Sequence, residues 1–164
     1  MAYEKSVEAL VNFFRAMRED GLEDVVSKGG IGEILLADKL GHTLVDGDKG
    51  ADGMDDDGKL YEYKVSITNQ YNFRFGTRPN QPMVKGESDP DLEKMITKHF
   101  LGFEGAICAE RKRGTAEISR AVFVSKSVIV DYLKKWFESK SPNQVIKNFR
   151  LDDFAKLESA KELI

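Results

Sequence analysis

The chain has 164 residues, 41% hydrophobic and 32% charged, which suffices for one domain with a buried core and calls for no second. No apolar run approaches the roughly 18 residues of a membrane span, and Met1-Ala2-Tyr3-Glu4-Lys5 lacks the basic and apolar regions of a signal peptide. A cytoplasmic protein without a membrane partner is expected. Cys108 is the only cysteine, which excludes an intrachain disulfide or thiolate cluster and points to a small core residue.

In chain order, Val7, Leu10, Val11, Phe14 and Met17 recur at helical spacing, so residues 5–19 read as an amphipathic helix whose apolar face must be buried, for which its own core is one place. Lys28 to Leu40 reads as a second helix, with Glu33 on it as a surface residue. Thr43 to Val45 and Leu60 to Ile67 are expected to form a first hairpin, followed by a long functional loop over residues 68–88. Asp89-Pro90 looks like an N-cap and first-turn proline opening a short helix to Lys98. A second hairpin is expected from Gly105 to Glu110 and Thr115 to Val124 over Arg113-Gly114. Ser127 to Lys140 then reads as a helix with Ile129, Leu133, Trp136 and Phe137 inward, and a last helix starts near Asp152. No repeat, low-complexity tract or linker is present.

The most informative segment runs from Asp52 to Lys64. Its second half alternates as a strand does, with Tyr61, Tyr63, Val65 and Ile67 on one face and Glu62 and Lys64 on the other. Asp52, carried by an acidic glycine-punctuated turn, is placed to swing back beside Glu62. Two hard oxygen donors then face one cation, which suits magnesium. Lys64, about 6.7 Å along the strand from Glu62, would position or help deprotonate an attacking water while the metal polarises a phosphoryl oxygen. The competing reading makes Glu62 and Lys64 a solvent-facing pair and Asp55 to Asp57 a polar hairpin loop.

The formal charge of −3 argues at first sight against a nucleic-acid partner, but the charge is unevenly spread. Residues 46–57 hold six aspartates against one lysine, leaving the rest of the chain with 24 basic and 22 acidic side chains. From Tyr63 to Gly86 there are four basic residues and no acid, together with Asn69, Gln70, Asn72, Asn80 and Gln81. Arg74, Thr77, Arg78, Asn80 and Gln81 are therefore candidates to contact DNA, with Asn143 and Gln144 as a second segment. Arg111-Lys112-Arg113 is either a further phosphate contact or a solvated hairpin turn.

Three other motifs fail. A calcium loop starting at Asp46 lacks the turn glycine and the bidentate glutamate, because Ala51 and Asp57 stand there. Gly29-Gly30-Ile31-Gly32 lacks the Lys-Ser/Thr of a phosphate loop, and His42 and His99 are isolated, each read as surface or satisfied core.

The Gly29-Gly30 pair before Ile34-Leu35-Leu36, Gly47, the Gly50-x-Asp52 turn and the Tyr61-Glu62-Tyr63-Lys64 strand together resemble the PD-(D/E)XK endonucleases, type II restriction enzymes above all. The second hairpin and the Tyr132-x3-Trp136 helix follow in the family's order. Ala51 replaces the signature proline, which contacts no metal, and residues 75–83 lack the histidine cluster from which the most similar enzymes read bases. The resemblance implies an α/β (α+β type) restriction-endonuclease-like fold, a central mixed β-sheet flanked by helices. It further implies Asp52, Glu62 and Lys64 as the catalytic set, with the Tyr63 backbone carbonyl as a third ligand for magnesium, which manganese may replace, and it offers Glu33 as a lesser candidate, since related nucleases often place a helix carboxylate near the metal. A homodimer to which the N-terminal helix contributes would cleave double-stranded DNA at a short palindrome, leaving 5′-phosphate and 3′-hydroxyl ends. A structure-selective nuclease of the same fold, such as a junction resolvase or repair enzyme, and a non-catalytic DNA-binding module remain as alternatives.

Overall fold

Ala106, Ile107, Cys108 and Ala109 are successive residues of one strand, and all four are buried. A strand buried on both faces must lie inside a layered fold. In the computed structural model, which describes residues 4–22, 30–45, 51–77, 90–140 and 144–164, this strand is β5 (Phe103–Arg111) of a six-stranded mixed sheet. The other members are β1 (Thr43–Leu44), β2 (Gly53–Met54), β3 (Leu60–Ser66), β6 (Ile118–Ser125) and β8 (Lys161–Glu162), in the order β1-β2-β3-β5-β6-β8. Only β3 and β5 run parallel. Their crossover carries β4 (Tyr71–Thr77) and α3 (Pro90–His99), as a parallel connection requires.

Helix α2 (Ile31–Leu40) covers one face, packing Leu36 and Ala37 on Tyr63, Ile107, Ala109 and Ala121. The opposite face lies under α3, α4 (Lys126–Lys140), the single turn α5 (Leu151–Phe154) and a two-stranded antiparallel ribbon of β4 with β7 (Gln144–Phe149). Tyr71, Phe73 and Phe149 of that ribbon, with Ile129, Leu133 and Phe137 of α4, pack against Cys108, Val122 and Val124. The class is therefore mixed α/β with a central mixed sheet flanked by helices. No helix among the described residues is long and apolar enough to cross a membrane.

Several sequence expectations are corrected. The first hairpin is a three-strand meander, because β2 intervenes and pairs with both β1 and β3. Residues 68–88 are not one loop: Tyr71–Thr77 is a strand whose partner, β7, comes from near the chain's end. The final helix near Asp152 is only the one turn of α5, after which the chain turns and adds β8 to the sheet edge. The second hairpin opens at Ile118 rather than Thr115, its turn closed by the Lys112 N–H on the Glu117 carbonyl and by Gly114 at φ +74°. Trp136 is half-buried, with the Lys147 ammonium 4.8 Å above its ring, while Cys108 is a buried free thiol as expected. Helix α1 (Glu4–Glu19) leaves its apolar stripe uncovered by the described residues, Val7, Leu10, Val11 and Phe14 each being more than half exposed. The start expected for the second helix, Lys28, and the Asp89 cap lie outside the described residues.

Candidate active site

The Asp52-to-Glu62 spacing is a hairpin register. Met54 pairs with Leu60 and Gly53 with Tyr61, and Asp52, just past that last pair, lies against the backbone of Tyr61 and Tyr63 on either side of Glu62. That position is close enough for the Glu62 charge to act on the Asp52 carboxyl. The connecting turn is held by Asp55, whose Oδ1 accepts the N–H groups of Asp57 and Lys59 at 3.0 and 2.9 Å, and by Gly58 at φ +78°. For Asp55 to Asp57 the polar-hairpin reading holds.

At Asp52 the ladder becomes a side-chain bond. The Asp52 N–H donates to the Tyr61 carbonyl at 3.0 Å, and Asp52 Oδ2 accepts the Tyr63 N–H at 2.6 Å. The N–H and C=O of one strand residue point to the same edge, so the Tyr63 carbonyl also faces the edge that Asp52 occupies. The Tyr63 side chain turns away into the α2 layer, where its hydroxyl meets His42 Nδ1 at 2.7 Å. Gly53 is required there because the Tyr63 ring occupies the space a Cβ would fill. His42 is thus a satisfied, partly buried histidine.

Glu62 is 5% exposed, the only buried charged residue among those described, so it is not a solvent-facing side chain. It is ion-paired with Lys64 on the same face, and the Lys64 ammonium lies 5.8 Å from the Phe73 ring centre. Burial raises the Glu62 carboxyl, but His99 and Lys64 more than offset this and hold it below its usual value. Burial works to lower the Lys64 ammonium, yet Glu62 and Asp52 keep it above its usual value, so the lysine is charged. Among the described residues Asp52 has no ion pair, although Lys64 draws its carboxyl down in part. Burial, then the Glu62 charge, push its carboxyl up to about 7.

Two further groups reach this site. Gly32 of α2 sits against β3, where an added Cβ would come within 2.8 Å of Val65, and this close approach brings Glu33 in. Glu33 is half-buried and its carboxyl is raised by burial and by Glu62 against the opposing pull of Lys64, which corrects its reading as a surface residue. His99, at the end of α3, places Nε2 3.4 Å from Glu62 Oε1. No sequence signal marked His99, an isolated histidine brought to Glu62 only by the packing of α3 over the sheet.

The DNA-contact candidates divide differently. Asn72 and Arg74 stand exposed on the outer face of the ribbon, opposite Asn148 and Ile146 of β7. Thr77 and Gln144, from the two separate candidate segments, are register partners at one end of the ribbon. Arg78, Asn80, Gln81 and Asn143 lie outside the described residues. Arg111 bonds its own turn through the Thr115 carbonyl at 3.3 Å, and Lys112 pairs with Glu117, as in a solvated hairpin turn.

Among the described residues no group of three His, Cys, Asp or Glu side chains is arranged to hold a metal ion. Two carboxylates and a backbone carbonyl on one strand edge instead fit a hard cation that takes its remaining ligands from water and substrate. The strained ionisation of Asp52 is the charge such a cation would relieve. Comparison with protein-family models and with curated proteins finds no match to this chain.

Proposed function

We propose that the chain is a magnesium-dependent endonuclease that cuts double-stranded DNA at a short palindromic site as a homodimer, in the manner of the type II restriction enzymes its motif resembles. The observation that carries this reading is the convergence of Asp52, Glu62 and a charged Lys64 at one strand edge. Asp52, Glu62 and the Tyr63 carbonyl would hold magnesium, or manganese in its place, and the bound metal would polarise the phosphoryl oxygen and stabilise charge on the leaving oxygen. Because Lys64 is held protonated, its task is to donate hydrogen bonds to the attacking water rather than to take its proton. Attack of that water on phosphorus, its proton passing to solvent, with cleavage of the P–O3′ bond and uptake of a proton from solvent by the departing O3′, leaves a 5′-phosphate and a 3′-hydroxyl.

Base reading belongs to the β4–β7 ribbon in this proposal. A two-stranded ribbon fits the major groove, and Asn72, Arg74 and Asn148 give its outer face donors and acceptors for base edges. Thr77, Arg78, Asn80 and Gln81, with Asn143 and Gln144, would extend that surface. The exposed stripe of α1 serves the dimer, since a two-fold protein reads a two-fold site.

The test is incubation of the purified chain with supercoiled plasmid and magnesium, followed by sequencing of the ends. Discrete ends at one short palindrome are expected. Cutting only at four-way junctions or mismatches would favour the structure-selective nuclease, and DNA binding without cleavage the non-catalytic module.

A further inference from the structure

We propose that His99 is the positioning residue for Glu62, holding one carboxylate oxygen so that the other faces the metal. The inference rests on the reading of Asp52 and Glu62 as metal ligands. The His99 ring is packed edge-on against Phe75, Phe100 and Phe103, with centroids 5.0, 4.9 and 6.4 Å away. These contacts fix the ring plane. Its Nε2 is buried, has no hydrogen-bond partner among the described residues, and lies 3.4 Å from Glu62 Oε1. That distance is about 0.4 Å beyond the commonest N–H···O length and the two groups are not yet in line, so a rotation of the carboxylate towards the ring completes the bond. Lys64 addresses the same oxygen, Oε1, which leaves Oε2 for a cation. When Lys64 turns towards the attacking water it loosens its hold on Glu62. His99 then keeps Oε1 occupied. Partners of this kind around metal-binding carboxylates contribute about 10- to 100-fold in metal affinity.

The experiment is calorimetric titration of the full chain with Mn²⁺ in the absence of DNA, alongside thermal melts. His99→Phe keeps the ring contacts and removes the donor, and it is expected to fold and to bind Mn²⁺ about 10- to 100-fold more weakly. His99→Gln, whose amide nitrogen can take the place of Nε2, is expected to recover part of that loss. A purely structural histidine would shift the melting temperature without changing the Mn²⁺ affinity of the folded protein. Equal affinity in wild type and folded His99→Phe overturns the proposal. Should His99→Phe fail to fold, donor-free His99→Met takes its place, with the same outcomes. If wild type shows no Mn²⁺ binding that Asp52→Ala removes, the metal reading of the site fails as well, and this separates the two failures.

Discussion

A carboxyl moved from its ordinary 3.8 to about 7 makes Asp52 a source of pH dependence in the metal-free protein. Between those values the unfolded chain has released the Asp52 proton while the folded protein keeps it. Stability therefore falls as pH rises through this window, by at most about 1.4 kcal/mol per pH unit from this group, and levels off above it. Asp52→Asn retains an oxygen to accept the Tyr63 N–H, so it is expected to remove that slope and to stabilise the metal-free protein near pH 8; urea melts at pH 5 and 8 check this. A slope untouched by the substitution would contradict the assignment. At the same scale, Asp52→Ala and Glu62→Ala are expected to abolish cleavage while DNA binding persists or tightens, because removing a carboxylate lowers repulsion with phosphate. Lys64→Ala should slow single-turnover hydrolysis by about 10² to 10³, the loss typical of one positioned hydrogen-bond donor, with the fold intact. A wild-type rate in that variant would reduce Lys64 to a partner of Glu62.

The element whose role is most open to measurement is the β4–β7 ribbon. Its inner face, Tyr71, Phe73 and Phe149, belongs to the core, so substitutions there should unfold the protein rather than change specificity. The outer positions separate base contacts from phosphate contacts. Asn72→Ala, Arg74→Ala and Asn148→Ala should each lower cleavage of the cognate site selectively where the side chain reads a base, by about 1–3 kcal/mol of discrimination. Where it contacts phosphate, binding to all sequences should weaken alike and the salt slope should fall by about one. If scanning both strands changes neither specificity nor affinity, the ribbon is not the reader.

At the scale of the whole molecule, the exposed stripe on α1 is a feature that the described residues do not account for. Val7, Leu10, Val11 and Phe14 lie along one helix side, and burying such a stripe in a two-fold interface would remove it from water. Leu10→Asp and Phe14→Asp are expected to yield monomers in sedimentation experiments without loss of the fold, since neither side chain belongs to the core. Because each subunit would cut one strand, those monomers should nick plasmid rather than linearise it. Sedimentation unchanged by either substitution would place the dimer contact elsewhere or remove it.

The Asp52–Glu62–Lys64 constellation was legible in the chain because it is local: a pleated strand puts Glu62 and Lys64 on one face, and a turn fixed by Asp55 and Gly58 brings Asp52 back against the backbone on either side of Glu62. The helices α1 and α4 were legible for the same reason, their apolar residues recurring at the helical period, and α3 was legible from the proline that opens it. β4 was not, since its outer residues are as polar as a loop's and its partner strand β7 lies near the far end of the chain. Nor were the burial of Glu62 and the arrival of His99 and Glu33 beside it. Those depend on α3 and α2 packing over opposite sides of the sheet, with Gly32 allowing the closer approach. Short-range backbone geometry thus determined which residues could form a site, and long-range packing decided how deeply each carboxylate is buried and which charges stand next to it.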